Sequence, residues 1–202
     1  LKRSYAVLAM LGIGQSKPRR NLTMGKRSTF ERVERDFYPT PLAAVLPLLD
    51  YIPDFAHFAE PCAGDGALIN HIIGERNDLQ CVAAADIDPK NGGILELDFL
   101  DFDVSSIACH IITNPPWDRK ILHPMIDHFS KQNPTWLLFD ADWMHTKQSA
   151  PFMPYLRKVV SVGRVKWIPD SKMTGKDNCA WHLFDQTGVY TGPTIFHGRV
   201  NA

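Results

Sequence analysis

Phe55-Ala56-His57-Phe58-Ala59, then Glu60-Pro61-Cys62-Ala63-Gly64-Asp65-Gly66, then Ala67-Leu68-Ile69-Asn70-His71-Ile72-Ile73-Gly74-Glu75 is the stretch that decides the fold. The opening residues are mostly apolar and suit a short buried strand. The closing residues place Leu68, Ile69, Ile72 and Ile73 at helical spacing. The segment between them is a tight turn in which Gly64 and Gly66 permit sharp turning and a close approach of ligand to backbone. Strand, glycine turn and helix in this order begin a layered α/β domain.

The same alternation extends outward. Strands are predicted over 55–59, 81–87, 94–97, 110–113, 136–139, 159–167 and 180–184, and helices over 42–49 (interrupted at Pro47), 67–75, 121–129 and 152–158. Short connections between alternating elements predict a mainly parallel seven-stranded sheet with helices on both faces. Ligands would then bind beyond the carboxyl ends of its strands.

The chain has 202 residues, 45% of them hydrophobic, with 22 Lys and Arg against 22 Asp and Glu. That composition fits a globular protein and excludes a disordered or membrane-spanning one. Residues 29–202 are read as the domain and 1–28 as an extension outside the fold, since a domain reads best as starting near Met24. The apolar run 5–13 follows Lys2 and Arg3 but has no clear small-residue cleavage site and is too short to span a bilayer. Cys62, Cys81, Cys109 and Cys179 form no CxxC pair, which fits a reduced, cytoplasmic protein. Zero net charge neither demands nor excludes a nucleic-acid partner, because a basic face can be offset by an acidic pocket. The chain is basic before residue 36 and again between Arg157 and Lys176.

The glycine turn lacks the GxGxxG dinucleotide fingerprint and the GK[ST] ending of a phosphate loop. It carries Glu60 and Asp65, which repel phosphate but suit a cofactor with a sulfonium and an ammonium group. S-adenosylmethionine (SAM) therefore fits better than NAD or ATP; a glycine turn without a ligand is the plainer alternative. Asp86 and Ile87 end the second predicted strand about twenty residues later, where an acid conventionally accepts from ribose hydroxyls. Asp88, before Pro89, suits a turn cap. Asp98 and Phe99 follow the third strand, an acid for an adenine amino group and a ring to cover its face, or equally an exposed Asp beside a core Phe.

Asn114-Pro115-Pro116-Trp117 follows the fourth strand. An amide or nucleobase NH2 has its lone pair delocalised and is a poor nucleophile. The Asn114 oxygen and the Pro115 carbonyl can both accept from such a group as charge develops, while Trp117 stacks on it. Two prolines restrict φ and remove two donors, so the turn presents acceptors. Taken alone, the tetrapeptide also reads as a Pro-rich turn closed by a core Trp.

Over residues 36–185 the motifs, in this order, resemble the class I SAM-dependent methyltransferases, specifically the amino-methyltransferases that modify adenine N6 in DNA, here in a small, phage-type form. The resemblance implies a Rossmann-like fold and SAM as cofactor. It implies that Tyr38 and Thr40 of Asp36-Phe37-Tyr38-Pro39-Thr40-Pro41 touch SAM, together with Glu60, Ala63, Gly64, Asp65, Gly66, Asp86, Ile87, Asp98, Phe99 and Asn114. The catalytic set is Asn114, Pro115, Pro116 and Trp117; Trp stands where Tyr or Phe is commonest, which enlarges the stacking platform. Trp143 sits where the family walls its target pocket and is either a substrate contact or a core residue. Lys172 and Lys176, in the polar loop before the last strand, could hold phosphate. His123, Asp127 and His128 have no evident third convergent ligand, so no metal is expected. The implied activity is methyl transfer to an exocyclic amino group, most directly adenine N6 in DNA. The alternatives are an RNA base, a protein glutamine, or a non-catalytic SAM-fold binding module.

Overall fold

The structure, a computed structural model, describes residues 37–168 and 174–199. The extension predicted over 1–28 and the loop residue Lys172 lie outside the described residues. The elements run α1 (Leu42–Leu49), β1 (His57–Glu60), α2 (Ala67–Glu75), β2 (Gln80–Asp86), β3 (Leu95–Glu96), β4 (His110–Thr113), α3 (Arg119–Ser130), β5 (Thr135–Asp140), β6 (Leu156–Gly163), β7 (Cys179–Phe184) and β8 (Ile195–His197). They form one eight-stranded sheet of order β3-β2-β1-β4-β5-β7-β6-β8. Only β7 runs against its neighbours β5 and β6; every other pairing is parallel. The Rossmann-like α/β fold expected from the sequence is present, with one more strand than predicted.

Alternation along the central strands builds two cores. Ile112, Trp136 and Leu138 face α1 and α2, packing with Leu48, Leu68 and Ile72. On the other side Leu137 and Phe139 meet Leu122 and Ile126 of α3, and Ile111 meets Met125 and Phe129. Near-continuous apolar β4 and β5 are the consequence of covering a parallel sheet on both faces. Trp181 of β7 ties α1 down by donating from Nε1 to the Ala44 carbonyl at 2.7 Å. Helix α1 is not interrupted by Pro47 but runs through it, ending two residues later at Leu49.

Four boundaries depart from the sequence reading. No helix forms over 152–158: Met153–Tyr155 is a single 3-10 turn, and β6 starts at Leu156. Pro154 and the β-branched Val159, Val160 and Val162 favour extended chain there, and Leu156, Val159, Val160 and Val162 are buried. The first strand begins at His57 because Phe55 adopts a left-handed φ of 57° in the preceding turn. The third shrinks to the two residues Leu95–Glu96, reached from β2 without an intervening helix. The unpredicted β8 pairs with β6 at the edge of the sheet, leaving Ile195 and Phe196 exposed. Among the described residues, no helix is long and apolar enough to cross a membrane.

Candidate active site

Glu60, Asp86, Thr113 and Asp140 are the last residues of β1, β2, β4 and β5, so the parallel strands deliver them to one rim of the sheet. The glycine turn is fastened there. Ala63 N–H donates to Ala85 O (2.9 Å), Gly64 N–H to Asp86 Oδ2 (2.8 Å), and Lys90 N–H to Gly64 O (2.8 Å). Gly64 has φ +53°, and a Cβ there would lie 2.6 Å from Cε2 of Phe37. Gly66, with φ +85°, is the N-cap of α2. Both glycines therefore satisfy backbone demands that an L side chain opposes. The ring lying against the turn belongs to Phe37. The sequence reading put Tyr38 in the aromatic role, and the adjacent pair Phe37-Tyr38 offered no signal to separate them.

Asp86 has a structural duty in this arrangement: Oδ2 accepts from Gly64 and Oδ1 from Asp88 N–H at 2.8 Å, stitching the ends of β1 and β2 together. Asp88 pairs with Lys90 at 2.6 Å. Ile87 beside them is 58% exposed, an apolar shelf next to the acid. Asp98 caps the short 3-10 turn Phe99–Asp101 by accepting from Leu100 N–H at 2.9 Å. Phe99 packs edge-on against Phe129, with ring centroids 6.0 Å apart.

Glu60 is the electrostatic anomaly of the rim. It is 1% exposed, and its Oε2 has no hydrogen-bond partner. Burial first, then the charges of Asp86 and Asp65, hold its carboxyl well above the usual carboxylate range. Burial likewise pushes the neighbouring Cys62 thiol up, which argues against a nucleophilic role for it. A buried acid with an unsatisfied oxygen beside two further carboxylates is costly to leave without a partner.

Asn114 follows β4 and donates from Nδ2 to Thr40 Oγ1 at 3.2 Å; Thr40 is buried. This contact joins two predicted site residues 74 positions apart and commits the amide's donor end, so Oδ1 is the end available as an acceptor. Pro115 is buried, and Pro116 and Trp117 are half-buried. Trp117 Nε1 donates to Leu138 O at 3.1 Å, and Trp167 stands edge-on to the indole with centroids 5.8 Å apart and planes at 86°. Sequence reading had placed Trp167 at the end of a strand. Gly175 N–H donates to Val165 O at 2.7 Å, and a Cβ on Gly175 would lie 3.3 Å from the Trp167 ring.

Trp143 takes the core alternative. It is 1% exposed, donates to His123 Nε2 at 3.0 Å, and packs against Phe139 and Phe184. Its ring therefore lies behind the rim. Lys176 is exposed. A cavity of about 340 Å³ opens between α2 and β2, lined by Gly66, Ile69, Asn70 and Cys81 among others. It shares Gly66 with the glycine turn, whereas none of Glu60, Asp86, Asp98 or Asn114 lines it. Among the described residues, no group of three or more His, Cys, Asp or Glu side chains is placed to hold a metal ion.

No family model matches the chain, and no curated protein matches it. Solved structures do. A candidate RNA methyltransferase from Pyrococcus horikoshii is 17% identical, with 75% of this chain and 87% of that one covered, at TM-score 0.50. A candidate class I SAM-dependent methyltransferase from Listeria monocytogenes is 11% identical, covering 78% and 62%, also at 0.50. The modification subunit of a candidate type I restriction enzyme from Vibrio vulnificus is 12% identical at TM-score 0.51; 82% of this chain matches, spanning about half (48%) of that subunit. At these identities the likeness shows the fold, a Rossmann-like sheet of the class I methyltransferase kind.

Proposed function

We propose that the protein transfers a methyl group from SAM to an exocyclic amino group of a nucleic-acid base, adenine N6 in DNA being the substrate best matched by its motifs. Asn114 carries the assignment. Its amide is anchored through Nδ2 to Thr40, and it follows the strand next to the one that ends in Glu60. The rim residues fit the cofactor. Glu60, with its unpartnered buried oxygen, suits the ammonium group; Asp86 and Ile87 suit the ribose and adenine, and Asp98 with Phe99 the far edge of the base. Bound SAM supplies a methyl group already activated on a sulfonium.

The chain's own task is to prepare the acceptor. Asn114 Oδ1 and the Pro115 carbonyl accept from the target NH2, drawing its lone pair out of conjugation as the nitrogen becomes tetrahedral. Trp117, its indole held by Leu138 O, stacks on the base. No general base is needed, because the product nitrogen can lose its proton to water afterwards, and catalysis is mainly positioning. With a duplex substrate the base must leave the stack, at a cost of a few kcal/mol offset by these contacts.

The test is Asn114→Ala. Calorimetry should find SAM binding retained, while transfer of labelled methyl to DNA is lost; unchanged turnover would remove Asn114 from the mechanism. Parallel incubation of the wild-type protein with DNA, RNA and protein pools identifies the carrier, and label only in protein would overturn the nucleic-acid assignment.

A further inference from the structure

The rim that carries the site is electrically divided. On the β1–β2–β3 side it presents Glu60, Asp65, Asp86 and Asp98, with Lys90 as the one cation of segments 60–66 and 86–101, itself paired to Asp88. On the β4–β5–β7–β6 side the connections are cationic. Arg119 and Lys120 open α3 just after Trp117, and Lys147 lies in the 3-10 turns that follow β5. Strands β5 and β6 are both antiparallel to β7, so the segment leaving β6 and the one entering β7 reach this same rim, bringing Arg164, Lys166 and Lys176.

These six side chains are all exposed, and among the described residues none is in an ion pair. Of the other described cations, the exposed Arg199 lies beside Gly163 at the end of β6, and the rest are occupied. Arg76 pairs with Asp54 and Asp78, and Lys131 with Asp127; Arg157 donates to three carbonyls, and Lys158 lies over the rings of Tyr51 and Tyr190. Asp118, Asp140, Asp142 and Asp177 share the basic side, but Asp118 is engaged in capping α3 by accepting from Lys120 N–H at 2.9 Å, and Asp140 in capping the next 3-10 turn by accepting from Asp142 N–H at 2.9 Å. Arg119 is held in place by donating to Gln148, which joins the start of α3 to the turns beyond β5.

Trp117 packs against both hydrophobic cores and stands edge-on to Trp167, so the indole pair joins the β4–α3 connection to the segment that leaves β6. Arg119, Lys120 and Lys147 lie on the α3 side, and Arg164, Lys166 and Lys176 on the side of the β6–β7 connection.

Resting on the proposed nucleic-acid substrate, we infer that these two clusters are phosphate-binding sites flanking the target nucleotide, so that the strand crosses the Trp117–Trp167 pair with its backbone held on either side. Cations without an acidic partner on the protein are free to neutralise phosphates, and each one that does so releases a counterion condensed on the strand. The acidic half repels the same strand and keeps it off the cofactor side.

The test compares wild type with two triple variants, Arg119→Gln/Lys120→Gln/Lys147→Gln and Arg164→Gln/Lys166→Gln/Lys176→Gln, and with Lys131→Gln as a control from a paired site. Anisotropy of labelled single- and double-stranded oligodeoxynucleotides containing adenine is read across a salt series. Each lost phosphate contact should reduce the slope of log K against log salt by about 0.7 for a single strand and about 0.9 for a duplex. Both triple variants should therefore show shallower slopes, with the control unchanged and with SAM affinity and unfolding midpoint as in wild type. An unchanged slope in either triple variant, with wild type binding normally, overturns the two-sided track and leaves the proposed function standing. A wild-type protein that binds SAM but no oligonucleotide overturns the nucleic-acid substrate itself.

Discussion

Replacing Glu60 by Gln should make the protein more stable and a poorer ligand of SAM, two changes that a merely structural acid would not combine. The Glu60 carboxyl is buried, lacks a partner for Oε2, and has a folded-state pKa raised well above the usual 4.5 by burial and by Asp86 and Asp65. Below pH 4.5 both folded and unfolded chains carry the proton, and the group does not affect stability. Above it the unfolded chain ionises first, so the folded state loses about 1.4 kcal/mol per pH unit until the folded pKa is passed. Gln mimics the neutral acid and removes that slope. The variant should gain about 1.4 kcal/mol for each pH unit above 4.5 in this window, and each kcal/mol should raise the melting temperature by about 2–4 °C in a domain of this size.

Binding should move the other way. An ammonium group engages the ionised acid, and a hydrogen bond to a charged partner contributes about 1.5–3 kcal/mol, so Glu60→Gln should weaken SAM roughly 10- to 150-fold. Wild-type affinity should rise with pH as Glu60 gives up its proton on complex formation, and the variant's should not follow. Urea unfolding at several pH values and calorimetry in buffers of different ionisation enthalpy measure both. A variant that is less stable than wild type near neutral pH, or one that binds SAM as tightly, would refute the reasoning.

Other expectations follow from single contacts. Thr40→Val removes the acceptor that holds Asn114 Nδ2 and should lower kcat about 2- to 10-fold with a smaller change in SAM affinity, while Thr40→Ser restores it. Gly64→Ala sets a methyl against Phe37 and forces an L residue to φ +53°. The expected cost is about 1–3 kcal/mol in denaturant unfolding, relieved only in part by adding Phe37→Ala. His182 is buried, stacked on Phe139 with centroids 3.9 Å apart, and burial pulls its pKa down to about 3. The unfolded chain takes up a proton below about pH 6.5 that the folded one refuses. Wild type should therefore lose on the order of 1.4 kcal/mol per pH unit from there down to about 3, relative to its own plateau. The stability profile of His182→Leu should lack that component.

The local part of the protein was legible in its sequence. Gly64 and Gly66 between an apolar run and a helical one dictate strand, turn and helix, because few other residues accept those backbone angles, and alternating elements with short connections imply a parallel sheet. The motif residues fall at strand ends for the same reason, and Asn114 to Trp117, which alone reads equally as a Pro-rich turn, became a candidate site through its place after the fourth strand and downstream of the glycine turn. Register and neighbourhood were not legible. The stretch 152–158 reads as a helix but begins β6, since the choice there rests on pairing with β7, which arrives from residues 179–184. Trp143 and Trp167 are indistinguishable by residue type, yet one is sealed behind the rim and the other stands against Trp117. Only the assembled sheet brings Thr40 to Asn114, buries Glu60 without a partner, and separates the acidic half of the rim from the basic one. These are consequences of which strands lie side by side, and strand order is set by packing over the whole chain, not by any local stretch of it.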